Sequence, residues 1–133
     1  MTSTSTKLQP IPAKRILVVE DELLVAQTIR MALAADGHKV EIAADGEQAL
    51  TMFEAGGYEL VVTDFQLEKM DGLELAQAVK ERAPTCPVIL ITAHAETVLR
   101  GGKVSNVDNL LGKPFSLAEL HGALREVFSG SGT

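Results

Sequence analysis

The sequence predicts an α/β fold, a five-stranded parallel sheet with helices on both faces. Three observations carry that prediction. Apolar runs rich in Val, Ile and Leu recur along the chain, at Ile16-Leu17-Val18-Val19, Leu60-Val61-Val62 and Val88-Ile89-Leu90-Ile91. Such runs suit strands buried on both faces. Between them lie segments with apolar residues at helical spacing, and the alternation of the two kinds implies βαβ crossovers and a parallel sheet.

The elements follow in order. Arg15 to Glu20 is the first strand. Glu22 to Ala35 reads as a helix, because Val25, Ile29 and Leu33 recur every four residues and Gly37 stops it. Lys39 to Ala43 alternates Val40 with Ile42, a weaker strand signal. Asp45-Gly46-Glu47-Gln48 resembles a capping box with Asp45 as the cap, and Ala49, Leu50 and Phe53 give the next helix its inward stripe. Glu59 to Thr63 is the third strand. Asp71 can cap a helix over Gly72 to Arg82 that buries Leu75, Ala76 and Val79. Pro84 and Pro87 bracket a break before the fourth strand, Val88 to Ile91. A helix over Glu96 to Arg100 is cut short by Gly101-Gly102, and Val107 to Leu111 is the fifth strand. Ser116-Leu117-Ala118-Glu119 is a full capping box, opening a helix whose apolar positions are Leu117, Leu120, Leu124 and Val127.

Bulk properties narrow the function. A chain of 133 residues fits one domain, and 46% hydrophobic residues suffice for a core. The formal net charge of −6 disfavours a nucleic-acid-binding surface or an anionic membrane face, both of which need a basic patch. Cys86 is the only cysteine, so no intramolecular disulfide forms and a reducing, cytoplasmic setting is expected. No apolar run is long enough to cross a bilayer. Residues 1–13 are polar, rich in Ser and Thr, and carry Pro10 and Pro12. They read as a flexible leader rather than a secretory signal. Residues 129–133 read as a flexible tail, leaving 14–128 as the folded unit.

In a parallel α/β sheet the binding crevice lies at the C-terminal ends of the strands. Those ends carry Glu20-Asp21, Asp64, Thr92 and Lys113. Three carboxylates gathered in one crevice repel, and a cation relieves that repulsion. A hard divalent ion with oxygen ligands, such as Mg²⁺, fits and leaves coordination sites for phosphate oxygens. Lys113 supplies a point charge for one phosphate oxygen, and the Thr92 hydroxyl can donate to another. A carboxylate beside Mg²⁺ and a lysine can act as a nucleophile on phosphorus, giving an aspartyl phosphate.

These stretches, Ile16-Leu17-Val18-Val19-Glu20-Asp21-Glu22, Val61-Val62-Thr63-Asp64, Met70-Asp71-Gly72, Ile91-Thr92-Ala93 and Lys113-Pro114-Phe115, together resemble the receiver domain of two-component response regulators. The resemblance runs from about Lys14 to Phe128. It implies a flavodoxin-like three-layer sandwich with strand order 2-1-3-4-5. It also implies phosphorelay signalling in which Asp64 accepts a phosphoryl group from a phosphohistidine donor. Asp21 falls at the position of a direct metal ligand, Glu20 at one that acts through a metal-bound water, and the Gln66 backbone carbonyl completes the protein's share of the Mg²⁺ coordination. Thr92 holds the position of the hydroxyl that moves toward the phosphoryl group, and Lys113 that of the family's lysine, with a cis Lys113-Pro114 bond. Gln66 and His94 border the phosphoryl group and would tune its lifetime, although His94 reads equally well as a surface histidine.

The implied partners are a sensor histidine kinase or histidine phosphotransfer protein and an unidentified downstream protein. Direct nucleic-acid binding and membrane insertion are not expected, and the chain should be a monomer or weak dimer. The expected chemistry is confined to self-phosphorylation and self-dephosphorylation at Asp64. Nothing in the sequence follows the last helix, which resembles the stand-alone receivers. Two departures from the family pattern stand out: Leu110 where an aromatic residue is frequent, and Glu68 where proline is frequent. With Gly101-Gly102, they suggest a switch that orders Glu96 to Val107 rather than turning an aromatic ring.

Rival readings remain. A receiver-like interaction module that is never phosphorylated would share the fold. A phosphatase of the haloacid dehalogenase type also uses a strand-end Asp, but normally with a second Asp two residues on, where this chain has Gln66. A flavodoxin would need a hydroxyl- and Gly-rich phosphate loop after the first strand and aromatics for the flavin ring. The three histidines, His38, His94 and His121, show no zinc-ligand spacing. Cys86 reads as a quiet buried thiol, and Phe65 and Phe115 as packing residues.

Overall fold

The computed structural model of the chain describes residues 11–100 and 105–129. Residues 1–10 of the expected leader, Gly101-Gly102 and residues 130–133 of the expected tail lie outside the described residues. The sheet comprises β1 (Arg15–Val19), β2 (Lys39–Ala43), β3 (Leu60–Asp64), β4 (Val88–Thr92) and β5 (Asn109–Gly112). The described helices are α1 (Leu23–Ala34), α2 (Gly46–Gly56), α3 (Gly72–Arg82), α4 (Ala95–Arg100) and α5 (Leu117–Phe128). The strands lie in the order β2-β1-β3-β4-β5, every neighbouring pair parallel. The expected architecture and order are both present. No described helix is long and apolar enough to cross a membrane.

Side chains alternate across a strand, so the central runs feed two cores. Ile16 and Val18 of β1 join Ile29 and Leu33 of α1 and Leu120 and Leu124 of α5 on one face. Leu17 and Val19 join Ala49 and Phe53 of α2 and Leu75 and Val79 of α3 on the other. Every residue of β3 and β4 is buried, which is why these strands read as continuous apolar runs. The edge strand β2 exposes Lys39 and Glu41, hence its weaker signal. Full burial of each Val, Leu or Ile stabilises the fold by about 1.5–3 kcal/mol. Ile11, within the expected leader, also packs against the α1/α5 core.

Caps set the helix boundaries. Asp71 with Glu74 and Ser116 with Glu119 form reciprocal capping boxes. At α2, Asp45 accepts the Gln48 N–H, but the Gln48 side chain turns back to the Ala44 N–H rather than to that of Asp45. Glu22 caps α1 by backbone alone, and Gly37 at φ 91° ends the segment.

Two expectations need correction. β5 begins at Asn109 rather than Val107: Val107 packs toward the α2/α3 core, and the Asp108 carboxylate accepts from the Val88 N–H and from Lys80. Leu117 is 56% exposed at the mouth of α5, so the buried stripe there is Leu120, Ala123 and Leu124.

Candidate functional site

The strand order reverses at β1. The chain steps from β1 to β2 on one side and then to β3 on the other, which makes the β1/β3 boundary the switch point where a crevice opens. Glu20 and Asp21 follow β1, and Asp64 ends β3.

Glu20 is held from two sides. Its N–H donates to the Ala43 carbonyl at 3.0 Å, extending the β1–β2 ladder. Its Oε2 accepts the Glu22 N–H at 3.2 Å. Asp64 is set by the next ladder, in which it faces Ile91. Thr92 ends β4, opposite Gly112 of β5, and its Oγ1 accepts the His94 N–H at 3.0 Å. Lys113 follows β5, and its own N–H donates to the Thr92 carbonyl at 2.8 Å. The Lys113-Pro114 bond is cis.

The carboxylates of Glu20, Asp21 and Asp64 and the Lys113 ammonium come together at these strand ends. Carboxylate oxygens of Glu20, Asp21 and Asp64 lie within 4.8 Å of one another. Lys113 Nζ lies 3.2 Å from Asp64 Oδ1 and 3.4 Å from Glu20 Oε1. Glu20, Asp64 and Thr92 are buried, while Asp21 opens to solvent. Gln66 follows in the loop after β3 with an exposed side chain, and His94 is exposed past Thr92.

Electrostatics report a surplus of negative charge. Burial, then the neighbouring Asp64 carboxylate, pushes the Glu20 carboxyl above its ordinary range, against the pull of the Glu22 N–H and Lys113. Burial likewise raises Asp64; the Lys113 ammonium opposes the shift, and Asp21 adds to it. Burial alone would lower Lys113, but the attraction of Glu20 and Asp64 outweighs it and holds the ammonium up. Three carboxylates against one ammonium leave two negative charges uncompensated. An all-oxygen set with that deficit fits a hard divalent cation.

Two features escaped sequence reasoning. Gly72 carries the closest backbone approach at the site. Its N–H donates to the Phe65 carbonyl at 2.8 Å, and a Cβ there would stand 2.5 Å from the Asp64 carbonyl oxygen. The Asp71-Gly72 dipeptide is the signal that could have revealed it. The second is a groove beside Lys113, lined by Leu24, Val25 and Thr28 of α1 and by Ala93, Pro114 and Phe115. Leu24, in its lining, is 82% exposed, and Met31, further along α1, is 68% exposed. These positions fall seven residues apart on one helical face, outside the stripe of Val25, Ile29 and Leu33 that marked the helix in the sequence.

Comparison with known proteins identifies the family and the fold. The family described as "Response regulator receiver domain" matches residues 16–125. Transcriptional regulatory protein TrcR of Mycobacterium tuberculosis is 38% identical over 112 residues, which cover 84% of this chain and 44% of that protein. Transcriptional regulatory protein DltR of Streptococcus agalactiae is 37% identical over 112 residues, covering 84% and 50%. The chain thus spans about half the length of the curated relatives it matches. Among solved structures, response regulator TrrA of Thermotoga maritima in complex with Mg²⁺-BeF aligns with a TM-score of 0.79 at 31% identity, covering 86% of this chain and 99% of that one. Chemotaxis response regulator CheY4 of Vibrio cholerae aligns with a TM-score of 0.79 at 27% identity, covering 87% and 99%.

Proposed function

Because the chain belongs to the response regulator receiver domain family of two-component systems, we propose that it works as a phosphoacceptor switch in which Asp64 takes a phosphoryl group from a phosphohistidine donor. The observation that carries this reading is the buried Asp64 carboxylate, contacted at 3.2 Å by Lys113 and flanked by Glu20 and Asp21. An Asp64 oxygen attacks phosphorus, the P–N bond breaks, and its electron pair returns to the donor imidazole. Later a water oxygen attacks phosphorus, the P–O bond to Asp64 breaks, and inorganic phosphate leaves. Lys113, already between Asp64 and Glu20, holds one phosphoryl oxygen by charge. The Thr92 hydroxyl is placed to donate to another, and Gln66 and His94 flank the path of the hydrolytic water.

Glu20, Asp21 and Asp64, with the Gln66 carbonyl, would hold Mg²⁺, which supplies positive charge for the transferring phosphoryl oxygens. Chemistry beyond self-phosphorylation and self-dephosphorylation is not part of this reading. Residues 14–128 form the receiver unit, acting in the cytoplasm. The donor is a sensor histidine kinase or a histidine phosphotransfer protein, and the groove beside Lys113 with the Leu24–Met31 face is its docking surface. A downstream protein reads the phosphorylated state.

The test is intact mass after incubation with acetyl phosphate and Mg²⁺. One PO₃ adduct on the wild type and none on Asp64→Asn is the expected result. An unlabelled wild type would leave an interaction module that is never phosphorylated.

A further inference from the structure

Glu20, His38, Thr63, Asp64 and Thr92 are the buried polar side chains among the described residues. Glu20, Asp64 and Thr92 belong to the strand-end site, and His38 takes the Lys14 N–H at the other rim. Thr63 belongs to neither. It is wholly shielded from solvent, follows the apolar run Leu60-Val61-Val62 in β3, and pairs in register with Val19 of β1 and Leu90 of β4. Valine has the same branched shape, suits a strand as well, and brings no hydroxyl to desolvate. Packing alone gives no reason for threonine here, so the reason lies in what the hydroxyl bonds.

Thr63 Oγ1 donates to the Asp64 carbonyl oxygen at 3.0 Å. That oxygen also lies against Gly72, where a Cβ would stand 2.5 Å from it. The same peptide group ends in the Phe65 N–H, which donates to the Ile91 carbonyl at 2.8 Å. The peptide that follows Asp64 is thus held at its oxygen by Thr63 and at its nitrogen by β4. Successive strand side chains point to opposite faces. Thr63 therefore reaches this peptide from the α2/α3 side, where its strand neighbour Val61 packs, and does not touch the reacting atoms.

We infer that Thr63 is a positioning residue for phosphoryl transfer: its hydroxyl fixes the peptide after Asp64, and through it the direction in which the Asp64 carboxylate meets phosphorus. This rests on the phosphoacceptor reading above. β3 ends at Asp64, so the contacts of this peptide take over from the strand ladder. Slack in the peptide passes to the Asp64 backbone and swings the carboxylate relative to Lys113, 3.2 Å from its Oδ1. A nucleophile displaced by a fraction of an ångström attacks more slowly, because the reaction depends on alignment.

The experiment follows the rate of PO₃ labelling by intact mass with acetyl phosphate and saturating Mg²⁺, and the Tm without phosphodonor, for wild type, Thr63→Val and Thr63→Ser. Valine keeps the shape and deletes the hydroxyl, whereas serine keeps the hydroxyl and deletes a buried methyl. Thr63→Val should label about three- to tenfold more slowly than wild type, and Thr63→Ser within about twofold of it. Thr63→Ser should nevertheless melt below Thr63→Val, because the lost methyl leaves a void in the core. Opposite rankings in rate and Tm are the expected result. A structural role alone ranks the two variants the same way in both measurements, and that outcome overturns the inference. So does a Thr63→Val that labels at the wild-type rate, or a Thr63→Ser as slow as Thr63→Val. A wild type that takes no label overturns the phosphoacceptor reading itself.

Discussion

The Lys113 ammonium lies 3.2 Å from Asp64 Oδ1, joining the residue after β5 to the last residue of β3. It also compensates Glu20 at 3.4 Å. Lys113→Ala strands two buried carboxylates, so metal-free protein should lose about 1–3 kcal/mol, less than a fully buried pair because Lys113 is partly exposed. Added Mg²⁺ should recover part of that loss, and Mg²⁺ should bind the variant at least as tightly as it binds wild type. Labelling by acetyl phosphate should slow. Urea titrations with and without Mg²⁺ check the first two points; a deficit unaffected by Mg²⁺ would show that Lys113 and the cation do not share the same charges.

Gly72→Ala tests the closest approach at the site. Alanine favours a helix by about 1 kcal/mol over glycine. Against that, its Cβ would meet the Asp64 carbonyl oxygen at 2.5 Å and Leu90 Cδ1 at 2.6 Å. Backbone cannot rotate aside as a side chain can, so the clash wins and a net loss of about 1–3 kcal/mol is expected. Mg²⁺ affinity should fall as well, because relief of the clash moves Asp64. Thermal melts with a Mg²⁺ titration read both; a stabilised variant would show that the Asp64 backbone yields to a methyl group at position 72.

Leu24→Asp places a charge on the exposed rim of the groove without touching the core. Surface substitutions of this kind change stability by about 0.5 kcal/mol or less. Labelling by acetyl phosphate should therefore be unchanged, while transfer from a cognate phosphohistidine protein should slow by about tenfold or more, as expected when a charge is buried in an apolar contact. Equal rates with both donors would remove the α1 face from the docking surface.

How much of this was legible beforehand follows from burial. β1, β3 and β4 announced themselves because both of their faces are covered, and Glu20, Asp21, Asp64 and Thr92 could be gathered because each follows or ends such a strand, whereas Lys113 follows the shorter, half-buried β5. The entry to β5 was misplaced because Asp108 engages Val88 and Lys80 through its side chain, which no periodicity records. The positive φ of Lys69, 76° in the loop after β3, was invisible: nothing in Leu67-Glu68-Lys69-Met70 marks it, since the usual marker, glycine or asparagine, is absent. The expected switch segment, Glu96 to Val107, includes residues outside those described, and α4 is observed from Ala95 to Arg100.

His38 gives a pH dependence away from the site. It is buried, and its Nδ1 accepts the Lys14 N–H at 2.9 Å, an arrangement that requires that nitrogen to be unprotonated. Burial lowers its pKa below the ordinary 6.5, assisted by His121 and Lys14 and opposed by Asp36. The unfolded chain therefore binds the proton more tightly. The contribution is complete above the unfolded value of about 6.5 and is lost as pH falls from there toward the folded-state pKa. Wild type should be more stable than His38→Gln at pH 7.5, with the gap narrowing by pH 5.5 in chelator-containing buffer. A gap that widens on acidification would reverse the sign.

The sheet has two rims, and His38 and Asp108 stand at the one opposite the acidic cluster. Strands of five residues set the rims about 16 Å apart, roughly two Debye lengths at physiological salt. Exposed charge at the far rim is thus largely screened from the acidic cluster wherever the path between them runs through solvent. A tag, a surface tether or a fluorescent reporter attached there stands a full strand length away from the Asp64 carboxylate.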